Sequence, residues 1–434
     1  MSKFDEIIGY EVIKKELRQV ADILRNGEMY RHLGVKAPQG LLIHGEPGVG
    51  KTLMAAAVIE SCGRPAFTCR KDQPNGDFVR EIKATFDQAA QNAPSIVLLD
   101  DMDKFANGDE RHPDREEYVT VQSCIDNVRD KGVFVLATAN NIRCLPTSLR
   151  RAGRFDRIIE VNAPEGEDAV NIVAHYLKDK PVDGLEAATV ARILDGNSCA
   201  ELETIINEAG LYAGYERAEA ITMEHFLTAY MSVMHNESDG VGRDDTADLC
   251  QLVDPHNPMT QVAYHEAGHA LVAEALIPGC VSLVTVHGKQ GNPRGFVQYC
   301  RDTSRPRLEW DQQRVMAALA GKAAVEHKFG VLDGGCRRDL ASAFSGVRDM
   351  VVDLCCNGFH LYSAGMEDSE ALHARQEQVI ASEVEQYYRR AKAMIAANAA
   401  FLDKLAAELL FKRLLTDVDI RRIKETCPLE PAAR

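Results

Sequence analysis

Two short stretches of this chain combine residue types and spacings that could do chemistry. Gly45-Glu46-Pro47-Gly48-Val49-Gly50-Lys51-Thr52 fits the pattern GxxxxGK[ST] at every fixed position. Glycines at that spacing let backbone N–H groups wrap phosphates, and the helix that follows presents its positive N-terminal end to them. Lys51 would reach the β- and γ-phosphates of ATP, and the Thr52 hydroxyl would bind Mg²⁺. The second stretch, His265-Glu266-Ala267-Gly268-His269, is HExxH inside an apolar helical run. Residues four apart share one helix face, so His265 and His269 can bind a single Zn²⁺. Glu266 is then placed to act as general base on a water at that metal.

Each stretch needs further groups. The apolar run Ser-Ile-Val-Leu-Leu ends in Asp100-Asp101, where a P-loop enzyme places its Mg²⁺-coordinating acid. The next apolar run ends in Asn140-Asn141, and an amide there either orients a water against the γ-phosphate or merely makes a turn. Arg150, Arg151, Arg154 and Arg157 crowd eight residues, which on charge alone read as a solvated basic patch. A catalytic zinc needs a third protein ligand and an open position. His287, Glu326, His327, Asp333 and Asp339 are the downstream candidates, and Asp339, after a glycine-containing loop and at the start of a helical pattern, leads slightly.

The elements that position these groups follow from hydrophobic periodicity. Residues 14–24 are amphipathic, 40–44 read as a strand, 53–62 as a helix, 78–93 as a helix, and 95–99 and 133–137 as strands. Continuous β-branched runs separated by helices indicate a parallel sheet covered on both faces. Residues 167–234 are helical in pattern, and 236–245 are polar and glycine-containing, as in a linker. Beyond them, 261–275 read as a helix, 282–287 and 295–299 as short strands, and most of the remainder as long helices. The expected architecture is an α/β nucleotide-binding domain (1–165), a helical domain (166–235), a linker (236–250) and a mostly α-helical metal-site domain (251–434).

Composition narrows the function classes. Lys and Arg total 50 and Asp and Glu 65 of 434 residues, a net charge of −15. That disfavours nucleic acid or an anionic membrane as the main partner, because phosphate binding needs a basic surface. The longest apolar runs fall far short of the ~20 residues that span a bilayer, and residues 1–10 lack a signal peptide's pattern. The twelve cysteines have no paired spacing and include no CxxC, so free thiols in the cytoplasm are expected.

With these motifs in this order, the whole chain resembles the FtsH family of AAA+ ATP-dependent zinc metalloproteases. The similarity runs from Phe4-Asp5-Glu6-Ile7-Ile8-Gly9 through the P-loop, Arg150-Arg151-Ala152-Gly153-Arg154-Phe155-Asp156-Arg157, Ala200-Glu201-Leu202 and Tyr264-His265-Glu266-Ala267-Gly268-His269, to Leu415-Thr416-Asp417. The resemblance implies an α/β P-loop AAA+ domain with a helical lid, followed by a mostly α-helical zinc metalloprotease domain. It implies a homohexameric ring that hydrolyses ATP with Mg²⁺, unfolds proteins and passes them to zinc sites. The implied nucleotide contacts are Ile7, Ile8, the P-loop through Leu53, and Asp100. Asp101 and Asn140 would act in hydrolysis, with Arg151 and Arg154 as fingers reaching the neighbouring subunit's γ-phosphate. Glu266 would be the catalytic acid–base, and Asp339 the third zinc ligand beside His265 and His269. Residues 295–299 would offer a strand edge for aligning substrate.

Three departures from the family pattern matter. Family members usually carry transmembrane helices before the AAA+ module, whereas this sequence begins almost at the module, as either a soluble variant or a piece of a longer chain, and no membrane association is expected within the sequence given. The family's Asp-Glu pair is Asp100-Asp101 here, and the loop 70–76 lacks the family's aromatic residue. The reading is therefore an ATP-dependent zinc endopeptidase that prefers unstructured or weakly folded proteins. The alternatives are a nucleotide-regulated scaffold, or an ATP-assembled peptidase with a weak motor.

Overall fold

The computed structural model describes residues 2–71, 77–106, 115–151, 153–235, 257–287, 295–300, 307–332, 334–362 and 370–431. The linker 236–250, Asp333 and positions 72–76 of the substrate-loop segment lie outside the described residues. The chain divides into two compact units, one of residues 1–179 and 194–204, the other of 180–193 and 205–434.

In the first unit, α1 (Glu11–Arg25) and α2 (Gly27–His32) precede β1 (Gly40–His44), α3 (Lys51–Cys62) and β2 (Ala66–Arg70). Then come α4 (Phe78–Gln91), β3 (Ser95–Asp100), α5 (Arg115–Val128), β4 (Val133–Ala139), β5 (Arg157–Glu160) and α6 (Gly166–Leu177). The five strands form one parallel sheet in the order β2-β3-β4-β1-β5. Every residue of β1, β3 and β4 is buried, as expected of strands covered on both faces. The carboxyl ends of these three strands carry the P-loop, Asp100 and Asn140, so the sheet gathers at one edge groups that lie ~100 residues apart in sequence. In open α/β sheets that edge is where ligands bind. Two edge strands differ from the sequence expectation: β2 and β5 are mostly exposed and lack a continuous apolar run.

Next come α7 (Ala187–Ile193), α8 (Cys199–Tyr215), whose first turns belong to the first unit, and α9 (Met223–His235). The rest of the second unit comprises α10 (Pro258–Leu276), β6 (Val281–Thr285), β7 (Phe296–Tyr299), α11 (Arg307–Phe329) and α12 (Arg337–Arg348). It closes with α13 (Glu370–Ala397), α14 (Ala399–Lys412), β8 (Leu414–Thr416) and α15 (Asp417–Thr426). Asn257 caps α10 by accepting from Met259 N (2.9 Å), and Pro258 starts the helix where its missing N–H costs nothing. Thirteen residues of α10 are buried, so it is a core helix, packed by α11, α13 and α14. β6, β7 and β8 form an antiparallel sheet in which β7 is an edge; β8 was not expected from sequence. Asp339 is the third residue of α12 rather than its start. No described helix is long and apolar enough to cross a membrane. The eleven described cysteines form no disulfide with one another.

Candidate nucleotide and metal sites

At the nucleotide edge, Gly50 has φ +90°, a left-handed conformation that glycine reaches without strain, and α3 starts immediately after it. Lys51 is buried and its Nζ donates to the carbonyls of Gly45 (2.9 Å) and Glu46 (2.7 Å), curling the loop. Burial lowers the Lys51 pKa, opposed by the charges of Asp101, Asp103 and Asp100. Val49 is buried beneath the loop, while Glu46, Pro47, Gly48, Thr52 and Leu53 are exposed. Ala200 N donates to Gly48 O (3.1 Å), so the start of α8 packs on the P-loop.

Asp100 is buried and accepts from the Thr138 hydroxyl (2.7 Å), while Arg70 lies 3.4 Å away at the end of the neighbouring strand. Asp101 has φ +52°, receives the Asn140 amide at 3.4 Å and pairs with Lys104 at 2.7 Å. The site thus brings together Lys51, Asp100, Asp101 and Asn140. It adds Asp103, which sequence reasoning missed. Its two carboxylate oxygens accept from Asn140 N (3.1 Å) and Asn141 N (3.2 Å), fixing the end of β4. Ile7 and Ile8 line a cavity of about 620 Å³ with Asn171 and His175 of α6, two further residues not singled out from sequence.

The arginines behave differently from one another. Arg154 donates twice to Asp126 (2.9 and 2.7 Å) and once to Ser148 O (2.6 Å). That pairing holds the Asp126 carboxyl below its ordinary range. Arg151 is exposed and makes no ion pair among the described residues.

At the metal site, α10 presents His265 and His269 one turn apart, with their Nε2 atoms 2.9 Å from each other. Asp339 Oδ2, from α12, lies 3.2 Å from His265 Nε2 and 3.8 Å from His269 Nε2. Ala317 O lies 2.6 Å from His269 Nδ1. A carbonyl can only accept, so Nδ1 carries the hydrogen and Nε2 turns its lone pair toward the cluster. The three donor atoms lie within 4.8 Å of one another and can hold one ion. Two nitrogens and one oxygen are the donor types that catalytic zinc uses. Among the alternative ligands, Glu326 is engaged elsewhere, by Lys322, Tyr388 and Lys392, and His327 is exposed.

Two glycines shape this site, and sequence reasoning missed their role. A Cβ on Gly321 of α11 would lie 2.6 Å from His265 Cε1 and 2.6 Å from His269 Nε2. A Cβ on Gly295 would lie 2.3 Å from Glu266 Cγ. The only cue for Gly321 was an isolated glycine in a helix-favouring run. A methyl group there must displace both imidazoles. Gly321→Ala is therefore expected to lower zinc affinity on the order of 100-fold, with helix content retained. Metal analysis beside circular dichroism checks this; a variant holding full zinc would refute the close-approach argument.

His265, Glu266, His269 and Asp339 share a cavity of about 890 Å³ with Gly295, Val297 and Tyr299 of the β7 segment. Glu266 is buried at 5% exposure. Burial first, then the Glu266 charge, raises the Tyr299 pKa far above its usual value, so its phenol stays neutral. β7 is also held from outside the cavity. Tyr230 of α9 donates to Gln298 Oε1, Gln298 Nε2 donates to Ile193 O (2.6 Å), and the His235 ring stacks 4.3 Å from Phe296.

A P-loop on a five-stranded parallel sheet, joined to a helical HExxH unit with a His-His-Asp donor set, defines an ATPase fused to a metallopeptidase. Residues 41–163 match the family model of the ATPase family associated with various cellular activities (AAA), and residues 253–423 that of Peptidase family M41. An ATP-dependent zinc metalloprotease FtsH 2 of Symbiobacterium thermophilum is 31% identical, covering 97% of this chain and 74% of the relative. The FtsH of Pelobacter propionicus is 30% identical (94% and 68% covered), and that of Thermus thermophilus 29% (98% and 71%). The chain belongs to the FtsH family of ATP-dependent zinc metalloproteases. It is accordingly a protease with ATPase activity whose cofactors are Zn²⁺ and ATP with Mg²⁺.

Proposed function

We propose that the chain works as a homohexamer that binds ATP at residues 45–53 and Asp100 and cleaves polypeptides at the His265–His269–Asp339 cluster. The observation that carries the peptidase assignment is the convergence of two histidines from α10 and an aspartate from α12, with Glu266 in the same cavity. A bound zinc supplies Lewis acidity to the scissile carbonyl and the attacking water. The protein's own part is to hold the donors and move the proton. Ala317 O fixes the His269 tautomer, Glu266 takes the proton of the attacking water and returns it to the leaving amine, and the β7 edge aligns the extended substrate.

In the ATPase, Lys51 and the P-loop amides bind phosphate, Thr52 and Asp100 hold Mg²⁺, and Asp101 and Asn140 place the attacking water. Ile7 and Ile8 form part of the nucleotide-binding surface. Arg151 and Arg154 reach the γ-phosphate of an adjacent subunit, which requires a ring. Arg151 breaks no ion pair among the described residues to do so, whereas Arg154 must exchange Asp126 for phosphate. The test is degradation of an unfolded and a folded tagged protein with ATP, with a non-hydrolysable analogue and with chelator. Loss of cleavage under chelation and faster degradation with ATP are expected. Cleavage that survives complete zinc removal would reject the site.

A second reading, an ATP-assembled peptidase or scaffold with a weak motor, draws support from Asp101. Its carboxylate is one methylene shorter than glutamate and is tied to Lys104. A water misplaced by about 1 Å can lose on the order of 100-fold in rate. Hydrolysis is therefore expected to be slow, and Asp101→Glu to raise it about tenfold or more. Unfolded proteins should be cleaved far better than folded ones. Vigorous wild-type unfolding of a stable substrate would exclude the weak-motor reading.

A further inference from the structure

The cleft around the metal cluster has an unusual charge for so acidic a protein. Three arginines line it: Arg314 of α11, and Arg337 and Arg338 at the start of α12. All three are exposed, and none makes an ion pair among the described residues. Among the described lining residues two are acids, Glu266 and Asp339, which would offset a divalent ion between them. With neutral histidines, the three arginines then leave the described lining about three charges positive, in a chain whose net charge is −15.

Their placement ties them to the scissile position. Arg337 and Arg338 immediately precede the ligand Asp339, and Arg314 lies one turn before Ala317, the residue that holds His269. The charge of Arg314 is felt at Tyr299, on the strand edge beside Glu266. Local stability does not explain the α12 pair, because the first turn of a helix disfavours cations. A substrate carboxylate would be the natural partner: guanidinium groups bind carboxylates through paired, charge-assisted hydrogen bonds. The apolar wall beside them, Trp310 and Val262, would take the methylenes of an acidic side chain.

We propose that this peptidase site selects acidic segments, with Arg314, Arg337 and Arg338 binding an aspartate or glutamate side chain close to the scissile bond. The proposal deepens the assignment of the His265–Glu266–His269–Asp339 cluster as the peptidase site and rests on it. The arginines set specificity and bear on the size of KM for charged substrates more than on bond cleavage itself.

The test uses the full chain with zinc and Mg-ATP and a set of internally quenched decapeptides. These are identical except for Glu, Gln or Lys at the two positions flanking the bond cleaved in the Gln peptide. The Glu peptide should exceed the Gln peptide on the order of tenfold in kcat/KM, mostly through KM, and the Lys peptide should be poorest. Raising salt from 0.05 to about 0.5 M should shrink the ratio, because exposed charges are screened. Arg314→Glu with Arg338→Glu should invert the order in favour of Lys, and zinc content reports whether the site stays assembled. A wild-type ratio near one, or a preference for Lys, overturns the proposal. A preference for Glu that both charge reversals leave intact overturns its assignment to these arginines. Failure to cleave any of the three peptides would instead count against the peptidase site itself.

Discussion

Glu266→Gln is expected to abolish peptide-bond hydrolysis, by on the order of 10²–10⁴-fold, while leaving zinc in place. The glutamine amide has the volume of the carboxylate but cannot accept a proton, so the attacking water stays a poor nucleophile. Volume matters here because Gly295 lies against the Glu266 side chain so closely that a Cβ would come within 2.3 Å of its Cγ. The donors His265, His269 and Asp339 are untouched, so metal content should equal that of the parent. ATP hydrolysis, which uses none of these residues, should change little. Peptide release measured beside elemental zinc analysis separates the outcomes. A variant that cleaves at the parental rate would remove Glu266 from the mechanism, and one that loses zinc would show the residue to be structural.

Lys51→Ala is expected to cost ATP hydrolysis on the order of 10²–10³-fold, the loss typical of removing one preorganised donor from developing charge. The lysine does two things at once. In the proposed site its ammonium would meet the phosphates, and its bonds to Gly45 O and Glu46 O curl the loop. It also opposes the three carboxylates of Asp100, Asp101 and Asp103, whose charges act on it in turn. Losing it leaves those acids to repel the triphosphate, so nucleotide binding should weaken as well. Binding of a fluorescent ATP analogue and phosphate release measure the two effects separately. Hydrolysis within about twofold of the parent would mean that phosphate is bound elsewhere.

The same two departures that set Asp101 and the 70–76 loop apart bear on how these effects combine. If Asp101 already limits hydrolysis, then Lys51→Ala and Asp101→Glu act on one site and should not be additive. Peptide cleavage needs no unfolding and should survive the loss of ATP turnover better than degradation of a folded protein does.

Much of the site was legible because its chemistry is packed into contiguous, regularly spaced residues. A P-loop is eight neighbours on a strand-to-helix turn, and HExxH places two ligands and a base within five residues of one helix. Local geometry alone carries both, since the 3.6-residue period puts His265 and His269 on one face. The strands read at 40–44, 95–99 and 133–137, the last two of which run on to 100 and 139, were legible because burial on both faces demands an uninterrupted apolar run. β2 and β5 escaped because edge strands meet water and need no such run; β8 escaped because three residues make too short a pattern.

From its own sequence, then, this protein is determined to be a P-loop ATPase joined to an HExxH metal site, with membership of its family following from the order of those motifs. Only the tertiary structure decided which distant groups complete each site. Asp339 reaches the histidines across about 70 residues because α12 is packed against α11, and α11 can approach α10 so closely because Gly321 has no side chain. Asp103 meets Asn140, and Arg70 meets Asp100, only because parallel pairing aligns strand ends that are separated in sequence. Nothing in the spacing of Arg314, Arg337 and Arg338 marks them out, and the fold alone sets them around one cavity. The physical reason is common to all of these. Helix and turn geometry act over a few residues and can be read locally, whereas a contact between segments depends on packing, which no short stretch of sequence contains.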